Sequence, residues 1–165
     1  MRRLLIILDK INEVTGSVVS WFSAILVFII CLDVTMRYLF DFTLIWIIEL
    51  EIYFYALLFL LASGFALKHD RHVRVDVFYS RMSDKNKAWV DLIGTTIFLL
   101  PWCLIIIWVS ANYSYFSFLI LERSPQPGGL PALYLLKFSM TLGFILLALQ
   151  GLSLWLRSFI KLTES

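Results

Sequence analysis

Charge is scarce in this 165-residue sequence: Asp, Glu, Lys and Arg together make up 16% of it, against 61% hydrophobic residues. A soluble domain is typically about 25% charged and about 45–50% apolar, and a chain this short leaves too much surface exposed to hide such an excess. A soluble globular protein is therefore excluded, and so is a disordered one. The net charge of +2 lacks the basic field of a nucleic-acid binder, so no nucleic-acid partner is expected. Cysteine is nearly absent. Cys31 and Cys103 stand alone in apolar runs without CxxC spacing and are expected to be small buried hydrophobes, not a bridge or metal ligands. The two histidines, His69 and His72, lie outside the apolar runs, which leaves no paired haem ligands and too few donors for a metal site; solvated or headgroup-contacting side chains are expected. GxSxG, Walker and GxGxxG signatures are all missing, as is any internal repeat. No enzyme activity and no cofactor in this chain are expected.

What the sequence does have is long apolar runs. Residues 16–36, 44–67, 92–112 and 131–157 each approach or exceed the roughly 20 apolar residues that cross a bilayer as a helix. The fold class is thus an all-α integral membrane protein, one four-helix domain over residues 1–165 with the lipid bilayer as its solvent. The N-terminal stretch is not expected to be a cleaved signal: Asp9, Lys10, Asn12 and Glu13 interrupt the apolar run after Arg2 and Arg3, and no small-x-small site closes the next run. Residues 3–15 are expected to form a partly amphipathic entry to the first helix. Arg2, Arg3 and Lys10, six Lys and Arg between Lys68 and Lys87, and Arg157 with Lys161 fall on one side, against Arg37 and Arg123 on the other. Eleven against two predicts that both termini and the central loop are cytoplasmic, in the inner membrane of a prokaryote.

In the central loop, Val75, Phe78, Tyr79 and Met82 recur at helical spacing, with Arg74, Asp76, Arg81 and Asp84 on other faces. This suits a short interfacial amphipathic helix between helices two and three, although the alternation over residues 73–77 also fits a strand. Ser83 is expected to cap a third helix that starts before the bilayer. Pro101 is expected to remove the bond to the Ile97 carbonyl and kink that helix. Trp46, Tyr38, Tyr113 and Tyr115 on the outer side, and Trp89 and Trp155 on the inner side, fit interfacial belts.

Ionisable groups inside a bilayer are costly and face a bundle interior or a partner. Asp33, Arg37, Glu49, Glu51 and Lys137 all fall in the outer leaflet, because the connection over residues 38–43 is short and Lys137 lies about 9 Å inside the fourth helix. The inner leaflet is expected to be nearly free of charge, with Gln150 as its chief polar residue. Asp33 and Arg37 are spaced i,i+4 and can pair. Arg37 and Lys137 are expected to lock the helices together against Asp33, Glu49 and Glu51. Glu49 and Glu51 point about 200° apart on an α-helix, so one of them faces a partner chain or the headgroups. The outer loop Ser124-Pro125-Gln126-Pro127-Gly128-Gly129-Leu130-Pro131 is stiffened by its prolines and can turn tightly at its glycines. It is either a docking surface or a well-formed turn.

Taken in order, Arg37-Tyr38-Leu39-Phe40-Asp41, Trp46-x-x-Glu49, His72-Val73-Arg74-Val75-Asp76 and Ser124 to Pro131 make the chain similar, over essentially its whole length, to a known family. It resembles the small membrane subunit (DctQ-like) of tripartite ATP-independent periplasmic (TRAP) transporters. Gln126 stands where that family usually has Asn. Residues 128–137 look closest to members grouped with organic-acid uptake. The resemblance implies a scaffold role in a sodium-coupled uptake system for an organic acid such as a carboxylate. A large TRAP membrane subunit would carry substrate and sodium, and a periplasmic substrate-binding protein would capture the solute. It also implies that Arg37, Trp46 and Glu49 lie at the outer-leaflet motif and that residues 125–131 face the binding protein. Two other classes stay open from the residues: a stand-alone proton-coupled exporter using Glu49 or Glu51, opposed by the 24-residue basic loop, and a redox anchor, opposed by the lack of histidine within the spans.

Overall fold

The computed structural model describes residues 2–69, 79 and 81–163, and among these it is helical with short connections and no strand. Four helical segments are long and apolar enough to cross a membrane: Arg3–Phe40, Ile45–Lys68, Asp84–Leu119 and Leu133–Thr163. The first, third and fourth are longer than the apolar runs that announce them. The first is a single helix, α1 (Arg2–Phe40), about 58 Å long at 1.5 Å per residue, so the expected amphipathic entry and the first span are one rod. Nothing in its sequence breaks it before Asp41, which takes a left-handed φ of 51°.

The second span is α2 (Ile45–Leu61) followed by α3 (Ser63–Lys68). The bond from the Ala66 amide to the Ala62 carbonyl, 2.8 Å, carries the backbone ladder past their junction. The third span begins with α4 (Asp84–Gly94), whose first turn is capped by Ser83 accepting from the Asn86 amide at 3.4 Å, as its sequence predicts. A π-helical turn over Thr95–Leu99 then leads into α5 (Leu100–Leu119). Pro101 is the cause: its ring would collide with the carbonyl one turn back, and a widened turn just ahead of it relieves that clash. Helix α6 (Leu133–Thr163) is the fourth span.

Helix α6 lies at the centre, touching the α1–α2–α3 side and the α4–α5 side. Small residues let it do so. A Cβ on Gly143 would come within 2.7 Å of the Leu60 carbonyl oxygen, and Gly151 sits under the Leu99 side chain. Lipid offers no hydrophobic force between helices, so close backbone approach and interhelical hydrogen bonds take over that role. The Ser110–Thr141 hydroxyl pair, 2.9 Å apart and buried, is such a bond. Cys103 is fully buried against Leu67 and Leu147. Cys31, expected to be buried, is exposed on the outward face of α1, because only one side of that helix meets the bundle. Trp21 and Trp108 point outward, 72% and 74% exposed, as lipid-facing side chains of a membrane bundle do.

The expected surface helix lies almost wholly outside the described residues, as do His72 and the residues around it. Tyr79, at its far end, donates to Asp91 of α4 at 2.8 Å, and Lys87 lies 5.6 Å from its ring centre.

Candidate functional site

The two ends of the bundle differ in how they treat charge. At the end formed by the α1–α2 and α5–α6 connections, Arg37 donates to Asp33 at 2.5 Å, one turn apart on α1. Asp33 is buried and Arg37 half exposed, so the carboxylate is sheltered while the guanidinium reaches toward the surface. Glu51, on α2, lies close enough to interact electrostatically with both, yet its buried Oε1 has no hydrogen-bond partner. Lys137 does not join this group. Its ammonium donates to Glu122 at 2.5 Å and sits 3.9 Å from the centre of the Tyr113 ring. Glu122 also accepts from Ser117 at 2.5 Å. The Lys137 and Ser117 bonds hold the Glu122 carboxyl below the usual carboxylate range.

Glu49 departs furthest from the expected scheme, in which Arg37 and Lys137 oppose Asp33, Glu49 and Glu51. It accepts from the Ser124 hydroxyl, and from the Leu130 amide at 2.6 Å. It therefore ties the α5–α6 connection to α2 and meets neither cation. The physical reason is the rotation between Glu49 and Glu51 on α2, which turns one carboxylate toward the loop and the other toward α1. Trp46, one turn before Glu49, is partly exposed.

The connection itself is a built object. Helix α5 closes with Leu121 in the left-handed region (φ 48°) and with bonds from Leu121 to Phe118 and from Glu122 to Ser117, a Schellman ending. Ser124 and Leu130 then pair through their backbones at 3.1 Å. Within that bracket the Gly129 amide donates to the Gln126 carbonyl at 3.0 Å. Pro127 and Gly128 (φ 78°) hold the two central positions of this type II turn. Gly129 has no room for a side chain: a Cβ there would lie against Ser124 and 2.7 Å from Glu49 Oε1. Pro125, Gln126 and Pro127 are exposed at the tip, and Pro131 precedes α6.

The opposite end also carries charge, because α1 runs on as a helix and brings Asp9, Asn12 and Glu13 against the bundle. These groups lie at or beyond the ends of the apolar runs, so the inner-leaflet stretch keeps Gln150 as its chief polar residue. Asp9 accepts from Ser153 at 2.7 Å, from Gln150 at 3.2 Å and from Arg157. Lys68 donates to Glu13 at 2.5 Å and to the Asp9 carbonyl at 3.2 Å, and His69 lies 3.0 Å from the same Glu13 oxygen. Asn12 is almost fully buried beside Gly64.

Glu122, Asp9, Glu13, Lys68 and Arg157 are not among the residues whose pairing the sequence predicts. For Glu122 a signal existed: it is the only carboxylate between Asp91 and Glu164, so an α5–α6 hairpin offers Lys137 no other. For Asp9 and Arg157, 148 residues apart, no local pattern could have paired them. Between the two polar ends, residues 14–32, 52–67, 92–121 and 138–156 contain no Asp, Glu, Lys, Arg or His. Among the described residues no three His, Cys, Asp or Glu side chains converge as metal ligands. The arrangement can hold helices and a loop in place; it has no titratable relay across the bilayer. A search among curated proteins finds no match. The sequence profile of one family, described as "Tripartite ATP-independent periplasmic transporters, DctQ component", matches residues 26–161.

Proposed function

Because this chain belongs to the DctQ component family of tripartite ATP-independent periplasmic transporters, we propose that it is the fixed membrane partner of the subunit that carries solute. In this reading it pairs with a large TRAP membrane subunit, and sodium and substrate bind there. A periplasmic substrate-binding protein delivers an organic acid such as a carboxylate. Both termini of this chain face the cytoplasm, and the loop closed by Ser124 and Leu130 faces the binding protein.

The observation that carries the proposal is the empty middle of the bundle: charge is confined to its two ends, and the apolar stretches between them hold no ionisable carrier. Coupled transport needs groups that bind and release the driving ion along the path. Among the described residues, charges at both ends are engaged in holding structure. Glu49 holds the loop, Lys137 holds Glu122 and Asp9 holds Arg157. The test is uptake of radiolabelled dicarboxylates and sugar acids into proteoliposomes under a sodium gradient. Vesicles with this chain alone should take up nothing, and vesicles with both membrane subunits plus the binding protein should accumulate the substrate. Uptake by this chain alone at the rate of the full system would overturn the reading.

A further inference from the structure

Between α2, the α5–α6 connection and α6 lies a groove of about 490 Å³. Apolar walls come from Ile48, Ile52 and Leu136. Its polar groups are Glu49, Ser124 and Gln126 near the connection and Tyr53 one turn farther along α2. Ile52 is 55% exposed, so the groove opens sideways toward lipid.

Two groups in it are chemically incomplete. Asp33 and Glu122 each meet a cation, whereas Glu49 is held only by two neutral donors and forms no ion pair among the described residues. The Tyr53 hydroxyl is buried without a hydrogen-bond partner, and it lies within electrostatic range of Glu49. A buried polar atom without a partner is costly, and so is an uncompensated charge at membrane depth.

We propose that this groove binds an aminophospholipid such as phosphatidylethanolamine, with its primary ammonium between Glu49 and Tyr53 and an acyl chain along Ile52 and Leu136. A primary ammonium supplies positive charge and three donors. It can give one N–H to a free lone pair of Glu49 and another to the Tyr53 oxygen. The groove sets apolar walls beside a carboxylate and a hydroxyl, the two kinds of surface that a lipid's acyl chain and headgroup need. A choline headgroup carries the charge but no N–H, and a glycerol headgroup carries no cation, so the site discriminates by headgroup.

The experiment is native mass spectrometry of the full chain, purified with its membrane partner. The sample is titrated with phosphatidylethanolamine, phosphatidylcholine and phosphatidylglycerol of identical acyl chains. Ethanolamine lipid should be retained about tenfold better than the other two, the discrimination expected of one charge-assisted hydrogen bond. Glu49→Gln should remove that preference and Tyr53→Phe should reduce it. Tyr53 takes no part in the hydrogen bonds of the loop, so Tyr53→Phe tests the site even where Glu49→Gln loosens the connection. Equal retention of the three lipids overturns the proposal, as does an unchanged preference in Tyr53→Phe. Retention of no lipid at all, as when a partner side chain fills the groove, overturns it equally.

Discussion

Asp33 and Arg37 show how little a single residue's burial says without its partner. Asp33 is shielded and Arg37 is not, so truncating the arginine strands a carboxylate where water cannot reach it. Arg37→Ala should lower stability by about 1–3 kcal/mol, seen as an earlier thermal transition of the purified protein. Adding Asp33→Asn should recover part of the loss, because the two changes act on one interaction. An additive double variant would mean that Arg37 is held by headgroups instead. Glu122 yields a pH prediction whose sign is fixed by its bonds. Donation from Lys137 and Ser117 depresses its folded pKa, so the stabilisation is fully present above the ordinary carboxylate range and is lost as pH falls through the depressed value. Thermal stability should therefore fall on acidification below about pH 4.5, more steeply in the wild type than in Glu122→Gln. Parallel curves would remove Glu122 from the account.

Among the elements, the α5–α6 connection and the α2–α6 contact carry the sharpest expectations. Gly129→Ala places a methyl group against Ser124 and Glu49 and should detach the loop from α2. Limited proteolysis of reconstituted protein should then cut near Gln126 several-fold faster than in the wild type. Gly143→Val, against the Leu60 carbonyl, should cost a few kcal/mol by forcing α2 and α6 apart. Gly94→Ala, with nothing within 4 Å of the added methyl, should be neutral or mildly stabilising. Equal thermal shifts for these two variants would argue against α6 as the close-packed centre. Elements were also what the sequence made most legible. Hydropathy marks four spans because lipid imposes one requirement on every residue of a spanning helix, and Ser83 marks a cap because capping is local. The exact ends were not legible, since α1 continues through Asp9 and Glu13 on the strength of contacts with α3 and α6. Glu49 was legible as a membrane carboxylate but not as the loop's anchor, because its partners lie 75 and 81 residues away.

For the molecule as a whole, the surplus of Lys and Arg on one side predicts an orientation that labelling can check. In a Cys31→Ser background, a cysteine at the exposed Gln126 position should react with a membrane-impermeant maleimide only from the periplasmic side. Reaction from the cytoplasmic side alone would invert the topology. The central place of α6 also bears on how the protein is made. Helices leave the ribosome in order, and the one that touches both halves of the bundle is the last of the four described. Until it enters the membrane, α2 has no Gly143 to rest on, Ser110 has no Thr141, and Asp9 waits in the bilayer margin without Arg157. The earlier spans are then a set of loosely held helices with unsatisfied polar groups, a natural target for membrane quality-control proteases. Translation arrested before residue 133 should thus leave short-lived chains, and completion of the final helix is the event that turns three inserted segments into one protein.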